Sequence, residues 1–438
     1  MPHDFNGKLV VVAGMAKSGF GAVDILLRHG ANVRAVDSKP DEAMRARLEL
    51  LGVQLAEQTP EAFMNADLIV LAPGVPVEVV PPGAPPVIGE VELAGYYLQG
   101  PTIAITGSNG KTTTTALIGH VLTHSGIACQ VGGNIGTAPT AMIGSSRPGQ
   151  WNVLELSSFQ LETIHEFRAR IAVFLNITQN HLDRHKTIEN YANAKARLLE
   201  TQDETGYAVL NRDNPFTASF ATRTRARLVW FSIEQAVNPG FWLDGTRIIG
   251  TGGALMDIHE VRLRGMHNVE NVMAAAAACH IAGASLGQIR AGVMSFEGVE
   301  HRIEFVRKLN GVDYYNDSKA TSVDATLKAI DAFPGGLWII LGGKDKGSDY
   351  SPLRDPLHRK AHCALLIGTA AEKIAAHLDG AVPVIRCGDI ASAVRRAHER
   401  AVAGDTVLLA PACASFDQFR SFEHRGEVFK EIVHGLGS

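Results

Sequence analysis

The sequence predicts an α/β protein with mostly parallel sheets, divided into more than one domain. Three observations carry this. The chain has 438 residues, too many for one hydrophobic core. Its composition is that of an ordinary globular protein, with 46% hydrophobic residues, 20% charged residues and 44 glycines. One local event also recurs along the chain: a short apolar run, a glycine-rich turn, then a helical pattern. Unbroken apolar strands alternating with helices are the mark of parallel strands covered on both faces. Ligands in such folds sit beyond the carboxyl ends of the strands.

The first such event is "KLVVVAG" (8–14) leading into "MAKSGFGAVDILLRHG". With Asp37 placed where a ribose-binding acid would follow, it resembles a dinucleotide-binding turn. A proline-rich stretch, "VVPPGAPPVIGE" (79–90), and "LQGPT" (98–102) mark one boundary, and the change of pattern near "MSFEGVEHR" (294–302) marks another. The predicted domains are 1–97, 98–297 and 298–438.

The second event is "TIAITG" (102–107) leading into "SNGKTTTTALIGHVLTHSG". It departs from the phosphate-loop pattern G-x-x-x-x-G-K-[ST], because Ile105 stands where the first glycine belongs. Gly107-x-x-Gly110-Lys111-Thr112 remains. After a strand, the two glycines permit a tight turn with converging N–H groups, and the next helix points its positive end there. Lys111 adds a full charge and Thr112 a hydroxyl suited to Mg²⁺. The chain carries no NKxD signal for guanine, which favours ATP.

A phosphate site needs a metal, and a metal needs ligands. "WNVLELSSFQLE" (151–162) reads as a strand ending at Glu155, and "IAVFLNITQNHLDRH" (171–185) as a second buried strand ending in a polar turn with His181. Each has a plainer reading, a helix N-cap acid for Glu155 and a satisfied turn histidine for His181. Lys195 lies on a helical face with Tyr191, Leu198 and Leu199. It either snorkels to water or is held near the metal. In the second case its ammonium must be neutralised or converted to an anion. Two later strands, "LWIILGG" (337–343) and "DTVLLAPA" (405–412), lead into "KDKGSDYSPL" and "CASFDQF", where helical patterns are expected.

Other classes are disfavoured. The net charge is -4, with no long basic run to suit nucleic acid. "VMAAAAACHIAGA" (272–284) is too short to span a bilayer, and the N-terminus does not read as a signal peptide. The five cysteines are scattered without a CxxC, as in a reduced cytosolic protein. The expectation is a monomeric cytoplasmic enzyme with no nucleic-acid or membrane partner.

Nine segments then occur in order: "TGSNGKTT", "GGNIG" (132–136), "ELSSFQLE", "NITQNHLDRH", "GMHNVENVMAA" (265–275), "EHR" (300–302), "NDSKAT" (316–321), "GGKDKGSDYSPL" (342–353) and "PACASFDQFRSFEHRGEVF" (411–429). Together they resemble the Mur ligases of peptidoglycan synthesis, across all three domains. The last two are those of the members that add D-glutamate to UDP-N-acetylmuramoyl-L-alanine. The resemblance implies a Rossmann-like N-terminal domain, a central P-loop-type ATPase domain with a mostly parallel sheet, and a Rossmann-like C-terminal domain. It implies ATP, two Mg²⁺ sites and phosphorylation of a substrate carboxylate, followed by amine attack through a tetrahedral intermediate.

Carried over by position, Lys111, Thr112 and Thr113 hold phosphates and Mg²⁺, and Gly107, Asn109 and Gly110 shape the loop. Glu155 and His181 serve the metals, with Lys195 as a CO₂-derived carbamate. Asn134 and Ser157 meet the substrate. Asn268, Asn271, Arg302 and Asp317 serve the nucleotide. Lys319, Thr321, Lys346, Ser415 and Phe422 surround the glutamate and the acyl phosphate. In the first domain, Gly14, Ala16, Lys17 and Ser18 approach the pyrophosphate and Asp37, Ser38 and Lys39 the uracil, and Gly74 lies in "APGVP" (72–76), the family's second nucleotide turn. The sequence departs from the family at Gly-Met-Ala-Lys-Ser-Gly (14–19), at Asn180, where aspartate is common, and at Ser322, where asparagine is usual.

Four readings compete: this ligase, the same mechanism with L-glutamate or another acceptor, an NAD-dependent oxidoreductase using residues 8–40, and a non-catalytic ATP-binding module.

Overall fold

The structure is a computed structural model that describes residues 4–437. The chain forms two compact units, Met1–Val261 with Val269–Phe296, and Arg262–Asn268 with Glu297–Ser438. The first unit contains two sheets. Strands β1 (Leu9–Ala13), β2 (Asn32–Asp37), β3 (Gln54–Glu57), β4 (Leu68–Leu71) and β5 (Val87–Gly89) form an all-parallel sheet in the order β3-β2-β1-β4-β5. The chain winds one way from β1 and then returns to start β4 on its other side. The β1 and β4 carboxyl ends therefore flank a topological switch point, where such sheets bind ligands.

The second sheet has nine strands: β6 (Thr102–Thr106), β7 (Cys129–Gly133), β8 (Trp151–Glu155), β9 (Ile171–Phe174), β10 (Tyr207–Asn211), β11 (Arg227–Ser232), β12 (Gly240–Asp244), β13 (Arg247–Gly250) and β14 (Gly253–Asp257). Its order is β14-β13-β12-β11-β10-β9-β6-β8-β7. β6 thus lies between β8 and β9, parallel to both. The three strands are wholly buried apart from Trp151, as their largely apolar runs require. β12 to β14 run antiparallel, with a register shift between Ile248 and Ile249. They add a meander to the edge that the strand–helix alternation does not announce.

The second unit holds β15 (Glu304–Leu309), β16 (Val312–Asn316), β17 (Leu337–Gly342), β18 (Ala361–Ile367), β19 (Val384–Gly388) and β20 (Thr406–Leu409), in the order β15-β16-β20-β17-β18-β19. All its pairs are parallel except β15 with β16. β20 lies between β16 and β17, so the loops that follow these three strands are neighbours. The helices after β17 and β20 begin later than the sequence suggests. A loop and a single 3₁₀ turn, Ser351–Leu353, precede helix Arg354–Lys360, and the last helix is Phe422–Gly435. Gly342 and Gly343, at φ of +120° and +135°, carry the chain out of β17 in a backbone that cannot start a helix.

Two buried acids on the short helix Glu90–Gly95 join the two sheet layers of the first unit. Glu92 accepts the N–H groups of His165, Glu166 and Phe167 at 2.8–3.0 Å. Glu90 Oε1 accepts the Thr140 N–H at 2.8 Å and its hydroxyl at 2.7 Å, but buried Oε2 has no hydrogen-bond partner among the described residues. Burial pushes the Glu90 carboxyl up to about 7, against the two Thr140 bonds. A carboxyl raised in the folded state contributes stability below its ordinary pKa and loses it as pH rises through about 7. Glu90→Gln is therefore expected to flatten the fall in Tm between about pH 5 and pH 8, gaining roughly 3 kcal/mol at the upper end. Thermal unfolding across that range checks it, and an unchanged slope would refute it.

Candidate active site

The phosphate loop leaves β6 in the middle of its sheet. Gly110 caps helix Lys111–His124 at φ +83°, and a Cβ there would stand 2.3 Å from Asn271 Oδ1. Only glycine satisfies both the left-handed backbone and the close approach. Asn271 is itself buried and accepts the Thr114 hydroxyl at 3.3 Å.

The strand-end segment after β9 braces the loop from the other side. Ser108 N–H donates to Asn176 O at 2.8 Å, Asn109 N–H to Asn176 Oδ1 at 2.9 Å, and Ser108 Oγ to Thr178 O at 3.1 Å. Lys111 Nζ folds back to donate to the carbonyls of Gly107 and Ser108, each at 3.0 Å. Thr112 is buried in the first helical turn, and Thr113 is half-buried beside it. Asn176, Thr178 and Ser108 are site-shaping residues that glycine spacing alone did not reveal.

Glu155 ends β8 beside the loop, buried at 2% exposure. Its Oε1 accepts Asn134 Nδ2 at 3.0 Å, while Oε2 is buried with no hydrogen-bond partner among the described residues. Asn134 is exposed, and its N–H bonds the Glu155 carbonyl at 2.8 Å. Ser157 caps the short helix Ser158–Leu161 in a capping box with Gln160.

Lys195 does not reach water. It is 1% exposed, donates to Thr106 Oγ1 at 3.1 Å and lies over the Tyr191 ring at 4.8 Å. Burial pulls its amine well below the ordinary lysine range. The Lys111 charge pushes the same way, and Glu155 opposes it. The snorkelling alternative is thereby replaced by a buried amine bonded to Thr106, with the Lys111 and Glu155 charges acting on it.

His181 is exposed, in a left-handed backbone at φ +53°, with its ring on Phe159 at 4.9 Å. Arg184, three residues on, stacks over Phe159 at 4.4 Å, pairs with Glu162 and donates to Pro73 O at 3.1 Å. It ties this turn to the segment after β4.

Among the described residues no three His, Cys, Asp or Glu side chains gather around one point. Mg²⁺ rarely takes an all-protein cage; it keeps waters and binds through one or two carboxylates plus phosphate oxygens. The orphaned Glu155 oxygen fits that habit.

At the β1–β4 switch point, Gly14 turns at φ +89° with no space for a Cβ, which would stand 2.6 Å from Val75. Ala16 caps helix Lys17–Arg28, and Ser18 lies in its first turn. Asp37 accepts the N–H of Met15 at 2.7 Å through Oδ2 and that of Lys39 at 2.9 Å through Oδ1, so it builds the turn. Ser38, Lys39 and Gly74 are exposed around it.

In the second unit, Asp317, Lys319 and Thr321 follow β16, Lys346 follows β17 and Ser415 follows β20. Asp317 is buried, and burial pushes its carboxyl up to about 7 against the pull of Arg302. Lys319 Nζ lies over the Phe422 ring at 5.5 Å. Lys346 is exposed on a loop whose Lys344 N–H bonds Ala414 O at 2.9 Å, next to buried Ser415. Arg425, 1% exposed, fastens two of these loops: Nε and NH2 donate to Ser318 Oγ and O at 2.9 and 2.8 Å, and NH1 to Cys413 O at 3.2 Å. Sequence reading passed over it, because its partners are mostly backbone carbonyls. Asn268 opens the long helix Met266–Ile281, and its Nδ2 donates to Arg264 O at 2.7 Å.

Comparison with known proteins agrees with this layout. The family profile for the MurD-like N-terminal domain of Mur ligases matches residues 8–81, that for the Mur ligase middle domain matches 105–279, and that for the Mur ligase glutamate ligase domain matches 301–413. A UDP-N-acetylmuramoylalanine--D-glutamate ligase of Solibacter usitatus is 59% identical over 435 residues, covering 98% of each chain. One of the same name from Acidobacterium capsulatum is 46% identical, covering 98% of this chain and 97% of that one. Among solved structures, a pseudomurein peptide ligase type C from Methanothermus fervidus aligns with a TM-score of 0.59 at 19% identity, covering 98% of this chain and 99% of that one. A UDP-N-acetylmuramate-alanine ligase of Thermotoga maritima aligns with a TM-score of 0.59 at 16% identity, with the same coverage. At these identities the two structures show a shared α/β fold. With three family profiles in register and close identity along its whole length, the chain belongs to the Mur ligase family.

Proposed function

We propose that this chain is an ATP-dependent ligase that adds D-glutamate to UDP-N-acetylmuramoyl-L-alanine, a step of peptidoglycan precursor synthesis. The observation that carries this is the 59% identity over 98% of the chain to a protein named for that reaction. The phosphate loop, Glu155 and the buried Lys195 supply a chemistry that fits it. We read the chain as three domains, 1–97 for the sugar nucleotide, 98–297 for ATP and 298–438 for the amino acid.

In the reaction, an oxygen of the alanyl carboxylate attacks the γ-phosphorus of ATP as the bond to ADP breaks. The glutamate amine then adds to the carbonyl of the acyl phosphate and loses a proton. The tetrahedral intermediate expels phosphate to leave the amide. A carboxylate is a poor electrophile, and phosphorylation supplies its leaving group. The chain's task is to place charge where charge develops. Lys111 and the loop N–H groups face the transferring phosphoryl. Mg²⁺, held by Thr112, Glu155 and His181, would neutralise phosphate charge. Asn134 orients Glu155 and meets the substrate. Arg302, Asp317, Asn268 and Asn271 serve the nucleotide. Lys319, Thr321, Lys346, Ser415 and Phe422 receive an amino acid with two carboxylates.

Lys195 is the residue we assign to carbamylation. A neutral buried amine is a nucleophile for CO₂, and the carbamate formed, with loss of a proton, is an anion that suits a place beside Lys111 and Mg²⁺. The depressed amine and its position near Lys111 and Glu155 support this assignment.

The reaction is tested by phosphate release from ATP with Mg²⁺ and UDP-N-acetylmuramoyl-L-alanine, varying only the amino acid. Release confined to D-glutamate, with an amide of matching mass, is expected. Release with L-glutamate alone would keep the mechanism and overturn the specificity.

A further inference from the structure

Arg302 stands in the middle of a strained tripeptide. His301 and Ile303, on either side of it, have φ of +62° and +44°. Neither is glycine, and Ile303 is β-branched, for which a left-handed backbone is a genuine outlier. Such outliers persist only where the surroundings over-determine them, and they gather at functional sites.

The surroundings here can be named. Glu304 Oε2 accepts the His301 N–H at 2.8 Å and Asn316 Nδ2 at 2.9 Å. Glu304 Oε1 is held by Lys430 Nζ at 3.1 Å, from the last helix, and Lys430 also pairs with Glu300. Asp317 Oδ1 accepts the Ile303 N–H at 3.3 Å, and the His301 carbonyl accepts the Lys319 N–H at 3.2 Å. The His301 ring is buried against Asn316 at 2.9 Å and against Gly426, where a Cβ would stand 2.2 Å from its Nδ1. Glu304, with its Lys430 anchor, thus braces the turn together with Asp317 and Lys319, which are already assigned to the site.

We infer that Glu304 is a positioning residue for the nucleotide site, holding the strained His301–Arg302–Ile303 turn so that Arg302 is presented beside Asp317. The inference rests on the proposed role of Arg302 in binding ATP. Glu304 acts through the backbone of its neighbour, whose N–H it accepts. Asp317 and Lys319 brace the same turn and also carry site functions, so a fault in the turn should reach the nucleotide before the amino acid.

The test compares steady-state kinetics of Arg302→Ala, Glu304→Ala, Glu304→Gln and the Arg302/Glu304 double alanine variant. Glu304→Ala is expected to raise the KM for ATP about tenfold while kcat and the KM for D-glutamate change less than about twofold. Glu304→Gln keeps an oxygen for the His301 N–H and should recover most of the loss. The double variant should be no worse than Arg302→Ala, because the two residues act in series. Gly426→Ala, which forces a methyl against His301, should show the same ATP-selective change without removing any charge; it also serves if Glu304→Ala does not fold. An unchanged KM for ATP in Glu304→Ala or Gly426→Ala, with a raised one in Arg302→Ala, overturns this inference alone. Additive losses in the double variant overturn it as well. An unchanged KM in Arg302→Ala overturns the nucleotide role on which it rests.

Discussion

Lys195→Ala is expected to reduce turnover by about a thousandfold or more and to regain part of it when acetate or another small carboxylate is added. The missing group in the proposed site is an anion, and a diffusing carboxylate can stand in for a carbamate where a second amine cannot. Lys195→Arg, which restores a cation, should therefore stay inactive. The wild-type enzyme should lose activity when CO₂ and bicarbonate are stripped from the buffer, and regain it on their return. Burial, with the Lys111 charge, pulls the Lys195 amine well below the ordinary lysine range, a shift toward the unprotonated form that reacts with CO₂. No rescue by any carboxylate, together with an intact mass lacking the added CO₂, would sink the carbamate.

Lys111→Ala should be as severe for a different reason. Its ammonium, drawn over the loop by the Gly107 and Ser108 carbonyls, is the concentrated charge nearest the proposed phosphoryl position. Removing one such preorganised charge costs on the order of a hundredfold to a thousandfold in the chemical step. Single-turnover phosphate release should fall by that factor, whereas ATP affinity measured by calorimetry should fall much less, since the loop N–H groups remain. The two lysines are also coupled. Without the Lys111 charge, the Lys195 amine should move back toward its ordinary range and carbamylate less readily. The double variant should then be less severe than the product of the singles. A fully multiplicative double variant would show that the lysines act independently.

How far these sites were legible follows from what each residue bonds. The strands read clearly because both faces of β6, β8 and β9 are buried, so apolar residues dominate them. The phosphate loop read clearly because Gly110 has no substitute at its left-handed position. Lys195 was ambiguous because an apolar helical face looks the same whether its lysine escapes to water or is buried, and only the packing decides. Arg425, Glu90 and Glu92 were invisible for another reason. Their partners are backbone groups and hydroxyls, among them those of Thr140 and Ser318, which leave no pattern of paired charges along the chain. The antiparallel meander of β12–β14 was missed because its strands are short and set apart by Gly245, Gly252 and Gly253 rather than by helices. The helices beyond β17 and β20 were expected too early, since a strand–helix rhythm says nothing about how much loop a site takes up.

That meander bears on how the protein behaves at high concentration. An open parallel sheet ends in a row of unused N–H and C=O groups that a second molecule can extend. Here the outermost strand, β14, has only five residues and begins at Gly253, with a backbone of φ +135° that breaks the extended line. The shifted register at Ile248–Ile249 adds twist to the same hairpin. The β14 edge of the nine-stranded sheet is therefore a poor template for strand addition. Lengthening or flattening this hairpin should raise the tendency of that edge to pair with a second molecule.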